Sequence, residues 1–244
     1  IPSDRRSESI VFPALSEMED FPIDVPEGYY AMAMFGPWSP GWSDVRDWLT
    51  ADKQQAVIQA FEEATADTSP RSHFAIAQPY GAQAGVSIDL IAAGLYTELG
   101  DPPLLIGAQY LYLWPVERGL LTVYYEARRL EAEGDPAAAI ETALNGIHFA
   151  RQLCDREMIG EKLTGMIYLR MGFEILRDIA YVDAQADRPA LTREDLVGAA
   201  EAVDPRRTFV NIDRIRFPRA NVLAAEQAIG SLYDSGLEDR KSTR

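Results

Sequence analysis

Between Leu120 and Tyr181, apolar residues recur at steps of three and four, the spacing of helices that bury one face. Gly134-Asp135-Pro136 interrupts the pattern once. Glycine suits the left-handed position that closes a helix, aspartate caps the next, and proline fits its first turn. The chain is therefore predicted to fold back here as a hairpin. Val123, Ala127 and Leu130 face inward on the incoming helix; Ala139, Ile140, Ala143, Leu144, Ile147 and Ala150 do so on the outgoing one. The small residues Ala139, Ala143 and Gly146 allow close approach. A third helix is predicted from about Arg156 to Tyr181. It is apolar nearly all round, from Met158, Ile159, Leu163, Met166 and Ile167 to Ile175, Leu176 and Ile179, with a narrow polar stripe of Arg170, Glu174, Arg177 and Asp178. Such a helix belongs in the centre of a bundle.

The flanks read less regularly. Ser43 and Asp52 are N-cap candidates for two short helices, and residues 65–85, holding His73 and Tyr80, read as a loop. Residues 86–99 read as helix up to Gly100-Asp101-Pro102-Pro103. Another is predicted from Leu104, with Pro115 expected to kink or break it. Thr192 to Asp195 has a capping-box arrangement opening a helix that Asp204-Pro205 ends; Leu223 to Leu232 reads as a last helix before a frayed, charged end. The expected fold class is all-α, an antiparallel multi-helix array with extended N- and C-terminal arms. It divides into an arm over 1–41, a helical domain over 42–204 and an arginine-rich segment with the C-terminal helix over 205–244.

The run A-R-R-L-x-x-x-G-D-P-x-x-A-I-x-x-A-L, from Ala127 to Leu144, resembles one tetratricopeptide hairpin. Ala127, Leu130, Gly134 and Ala139 stand where that motif takes small, large, turn and small residues. Arg151 stands where the family ends its repeat with proline, and no second copy follows at a period of about 34 residues. More loosely, residues 65–203 look like uncharacterised bacterial helical proteins. These resemblances imply a fold and no activity.

Residues 1–41 carry six of the fifteen prolines, which block helix interiors and central strands, so this arm is expected to be extended and irregular. Its aromatics are too many for a solvated linker. Tyr29, Tyr30, Phe35, Trp38 and Trp42 therefore lie either on the chain's own surface or on a partner's. A carbohydrate-stacking platform formed by Tyr29, Trp38 and Trp42 is a further reading. Near the other end, Arg206, Arg207, Arg214, Arg216 and Arg219 make a locally basic segment in which Phe209, Val210, Ile212, Ile215 and Phe217 suggest extended structure. Two readings stay open for the arginines. They pair with the chain's own acids around Asp195, Glu201 and Asp204, or they receive an acidic partner or a phosphorylated or carboxylated ligand.

A formal charge of −15 over 244 residues repels phosphate backbones and anionic lipid, so no nucleic-acid partner is expected. No apolar run approaches the ~20 residues of a membrane span, so no transmembrane segment is expected. Cys154 is the single cysteine, which excludes an internal disulfide and a cysteine-based zinc cluster; it reads as a small core residue. The sequence opens at Ile1 without methionine, as a processed or truncated start. That leaves the compartment open, with export or envelope association ahead of the cytoplasm.

Catalytic options are few. The residues three positions before His73 and His148 are Pro70 and Asn145, so neither completes the Glu-x-x-His motif of helical metal sites. There is no nucleophile elbow, phosphate loop or dinucleotide fingerprint. No catalytic residue, metal or cofactor is assigned. The expected function is a non-catalytic interaction or structural subunit that docks other protein subunits through its terminal arms. The alternative class is a small-molecule or carbohydrate binder, or an enzyme with a carboxylate-lined interhelical cleft around His148 and Glu141.

Overall fold

The computed structural model describes residues 1–23, 29–78, 87–101, 103–211, 215–216 and 218–242, leaving out the side chains of 29, 30 and 232–242. Among the described residues the chain is all-α, with no strand or sheet. Three helices packed on one another carry it: α6 (Leu113–Ala132), α7 (Pro136–Leu153) and α8 (Ile159–Gln185). α7 packs against both others, and α6 also touches α8. Around them lie α1 (Glu8–Glu17), α2 (Tyr29–Met34), α3 (Trp42–Leu49), α4 (Asp52–Glu63), α5 (Ile88–Ala92), α9 (Arg193–Ala202) and α10 (Arg219–Ser242).

The hairpin forms where the glycine-aspartate-proline turn places it. Gly134 has a φ of 88°, open to glycine without strain, and Asp135 Oδ1 accepts from the Ala138 amide at 3.1 Å. At α9, Thr192 and Asp195 cap each other reciprocally: the Thr192 amide donates to Asp195 at 2.7 Å and the Asp195 amide to Thr192 at 3.2 Å.

Two proline expectations are corrected. Pro115 neither kinks nor breaks α6, because it falls in the first turn, where its missing amide would have had no helical acceptor. Pro13 sits inside α1, so residues 1–41 are not uniformly extended. An interior proline costs roughly 3 kcal/mol. Pro13 and Ser9 are exposed, so water serves the carbonyl left without a donor, while Val11, Phe12 and Leu15 are buried and offset the cost.

The helices expected over 86–99 and from Leu104 are shorter than their patterns suggest. α5 stops at Ala92, followed by Gly94 at a φ of 71°; beyond Leu104 only a single 3-10 turn forms, at Leu105–Gly107. The last helix begins earlier than expected, at Arg219, and runs to Ser242. Residues 205–211 and 215–216 form turns and irregular backbone, not strand.

The N-terminal aromatics build the core's outer layer. Phe12 lies 5.8 Å from Tyr112, Phe21 4.6 Å from Trp48, and Phe35 5.2 Å from Tyr125 between ring centroids. Aromatic pairs at these separations add about 0.5–1.5 kcal/mol each beyond their buried area.

α8 also differs from its expectation. Leu169, Met171, Ile175 and Ile179 are buried against α6 and α7, but Ile159, Leu163, Met166 and Ile167 are 43–52% exposed. The helix is apolar on both sides and its own chain covers one.

Candidate functional site

The uncovered side of α8 forms one wall of a groove of about 910 Å³; Ile215, Arg216 and Pro218 form the other. Ile159, Leu163, Met166, Arg170, Phe173 and Arg177 line it in sequence order, at alternating steps of four and three residues. That spacing is the seam of a coiled coil, where each side chain enters a hole on a facing helix. The stripe extends about 27 Å at 1.5 Å per residue. Four basic side chains, Lys162, Arg170, Arg177 and Arg216, line it against one acidic, Glu174, and Arg170 and Arg177 occupy two of the six seam positions. Arg170 Nε donates to Glu174 at 2.9 Å and Arg177 to Asp178 at 2.7 Å, which holds both guanidinium groups along the helix.

A second, polar cavity of about 310 Å³ adjoins the groove and shares Lys162 and Arg216 with it. Six separate parts of the chain meet there. Arg151 comes from the last turn of α7, Asp155 and Glu157 from the following turn, and Lys162 from the first turn of α8. α8 crosses the end of α7 in contact: a Cβ on Gly165 would stand 2.8 Å from the Cys154 amide nitrogen. Pro70 and His73 come from the loop after α4, Phe209 and Arg216 from the irregular segment, and Arg219 from the start of α10. The Phe209 amide donates to the Thr68 carbonyl at 3.0 Å, and the Phe209 ring stacks on His73 at 4.2 Å, with 3° between planes. His73 Nδ1 donates to the Ser69 carbonyl at 3.0 Å, which fixes its ring.

Arg151 is 1% exposed. One terminal nitrogen donates to the Asn211 carbonyl at 3.1 Å, the other is 2.7 Å from Asp155, and Nε has no hydrogen-bond acceptor among the described residues. Lys162 Nζ donates to the Cys154 carbonyl at 2.8 Å. Burial pushes the Cys154 thiol up to about 12, so this sulfur stays protonated.

Family models, curated proteins and solved structures were compared with this chain, and none matches.

The residues expected to bind a partner scatter. Phe35 and Trp42 are 5% and 8% exposed, packed in the chain's own core. Trp38 is 60% exposed, with its Nε1 donating to the Met34 carbonyl at 2.8 Å and the Arg128 guanidinium 5.4 Å from its ring. The side chains of Tyr29 and Tyr30 lie outside the described residues, so the aromatic platform has two members placed, one buried and one exposed. Tyr80, Ile212, Arg214 and Phe217 lie outside them too.

The arginines divide between their two readings. Arg206 pairs with Asp204 at 3.0 Å and Arg207 with Glu201, both at the exposed surface, while Arg216 and Arg219 line the polar cavity. Asp195 is used as a cap.

The cleft around His148 and Glu141 does not assemble. His148 is buried and donates from Nε2 to the Ala202 carbonyl at 3.0 Å, whereas Glu141 is exposed. Among the described residues no three histidine, cysteine or acidic side chains converge as metal ligands. The buried carboxylate is elsewhere: Glu161 accepts from the Tyr112 phenol and from Arg156 Nε at 2.9 Å, and Arg156 also donates to the Gln78 carbonyl at 2.6 Å. That network ties α6, α8 and the loop after α4 together and opens on no cavity described above.

Sequence reasoning missed Arg151 and Lys162 as site residues. Neither belongs to a motif, and they meet only because α8 folds back over the end of α7. The seam along α8 was present as spacing, but its neighbours are apolar too and hide it.

Proposed function

We propose that this chain is a non-catalytic interaction subunit whose docking surface is the groove on α8. The observation that carries this reading is the stripe at coiled-coil spacing on α8, four apolar side chains with Arg170 and Arg177 among them, of which Ile159, Leu163 and Met166 are about half exposed. The occupant is an amphipathic helix of another protein, acidic along one flank. Its apolar positions cover Leu163, Met166 and Phe173, and its acids meet Arg170, Arg177 and Arg216. Covering a half-exposed Leu163 or Met166 contributes about 1 kcal/mol each, and the arginines fix register. A second copy of this chain fits less well, because a self-complementary contact sets the same arginines against one another. The tetratricopeptide-like character of the α6–α7 hairpin fits a scaffold role. The docking site moves from the terminal arms to α8 because the N-terminal aromatics Phe12, Phe35 and Trp42 are spent on the chain's own core.

Native mass spectrometry of the protein gently isolated from its own cells tests the proposal. The expected result is a mass above 27.1 kDa that resolves into a different chain and is lost in Leu163→Ser/Met166→Ser. A complex that survives this double substitution refutes the docking site. So does a bare monomer in the wild type.

A further inference from the structure

We propose that the polar cavity at the junction of α7, α8 and α10 is a binding site for a small oxyanion, a compound bearing a phosphate or carboxylate group. Four basic side chains converge on it, Arg151, Lys162, Arg216 and Arg219, against two acids, Asp155 and Glu157. The surplus is positive inside a chain of net charge −15. Distant acids weigh little against that surplus, because charges beyond the Debye length of about 8–10 Å are screened.

The walls have the build of a site. Arg151 is buried to 1% exposure, its Nε has no acceptor among the described residues, and its side chain borders the cavity. An unsatisfied buried guanidinium nitrogen costs stability. Asp155 leans on Arg151 from an exposed position, so its carboxylate turns to water at little expense when a ligand takes its place. The stacked His73 and Phe209 rings close one side and hold the loop after α4 against the irregular segment. A volume of about 310 Å³ lies at the low end of ligand pockets and suits a small metabolite better than a polymer.

This site stands apart from the partner reading. Its ligand touches Lys162 and Arg216 but none of the seam residues Leu163, Met166 or Phe173, and it persists if the groove binds nothing.

Isothermal titration of the full chain with inorganic phosphate, and separately with citrate, tests it. Sodium chloride matches ionic strength throughout. The expected result is saturable binding of at least one anion, weakened roughly tenfold or more in Arg216→Gln/Arg219→Gln. Both arginines are exposed, so the fold survives their loss, and circular dichroism checks this. The control is Arg206→Gln/Arg207→Gln, which removes equal charge outside the cavity and is expected to leave binding within about twofold. Binding of phosphate alone supports the site and assigns it to a phosphorylated ligand; binding of citrate alone supports it and assigns a carboxylated one. No saturable binding of either beyond chloride overturns the proposal. Equal weakening in both double variants overturns it too, because that is general charge and not a site.

Discussion

The Tyr124 phenol on α6 donates to the backbone carbonyl of Tyr168 on α8 across 2.7 Å. Two glycines make room for that side chain. A Cβ on Gly146 would stand 2.8 Å from Tyr124 Cζ, and one on Gly172 would stand 2.6 Å from its hydroxyl oxygen. α6, α7 and α8 are therefore locked by one tyrosine seated between a glycine of α7 and a glycine of α8. Gly146→Ala and Gly172→Ala gain helix propensity worth about 1 kcal/mol. Each is nevertheless expected to destabilise the chain by about 1–3 kcal/mol through overpacking. Urea denaturation measures this; a rise in midpoint for either variant contradicts the lock.

Glu161 is fully buried between Tyr112 and Arg156. Burial, then the charge of Glu161, holds the Tyr112 phenol well above its ordinary value, so it donates as a neutral group. Glu161→Gln keeps the shape but removes the carboxylate charge that pairs with Arg156. The expected loss is about 3 kcal/mol or more in the same measurement.

Desolvation lowers the His148 pKa, although the hydrogen bond to Ala202 works the other way. The unfolded chain therefore takes this proton more readily than the folded one. The contribution of His148 to stability is whole above the ordinary value near 6.5 and falls as pH drops through it. The stability difference between wild type and His148→Gln is expected to shrink from about pH 7.5 to about pH 5.5. A difference that stays constant across that range contradicts the buried neutral imidazole.

Cys154 has no exposed surface, and its thiol is pushed up to about 12. A thiol reagent at about pH 8 is expected to leave the folded chain unmodified and to label the urea-unfolded chain fully. Labelling of the native state at the unfolded rate contradicts that placement.

The central hairpin was legible in the sequence because local signals agreed: Gly134, Asp135 and Pro136 sit where turn, cap and first turn need them. The all-α class followed from the same periodicity. The N-terminal arm misled because proline content says where helices are disfavoured, not where burial overrides the cost. Phe12, Phe35 and Trp42 were visible as apolar, but their neighbours, Tyr112 and Tyr125, lie far along the chain. α8 shows the opposite limit. A helix apolar on every side reads as central, and the sequence does not say which side its own chain leaves open. The polar cavity was half legible: Arg216 and Arg219 belong to the basic cluster, while Arg151 and Lys162 join them only through the crossing of α7 and α8.

The most direct test of the docking surface places a photoreactive amino acid at Leu163 and, in a parallel preparation, at Trp38, the exposed aromatic of the N-terminal segment. Both are illuminated in the chain's own cells, and the crosslinked products are sequenced. The groove on α8 predicts a heterologous crosslink from position 163, to a helical segment with acidic residues beside its apolar ones, and none from position 38. The same partner captured from position 38 and not from 163 would return the interface to the N-terminal arm and contradict the account.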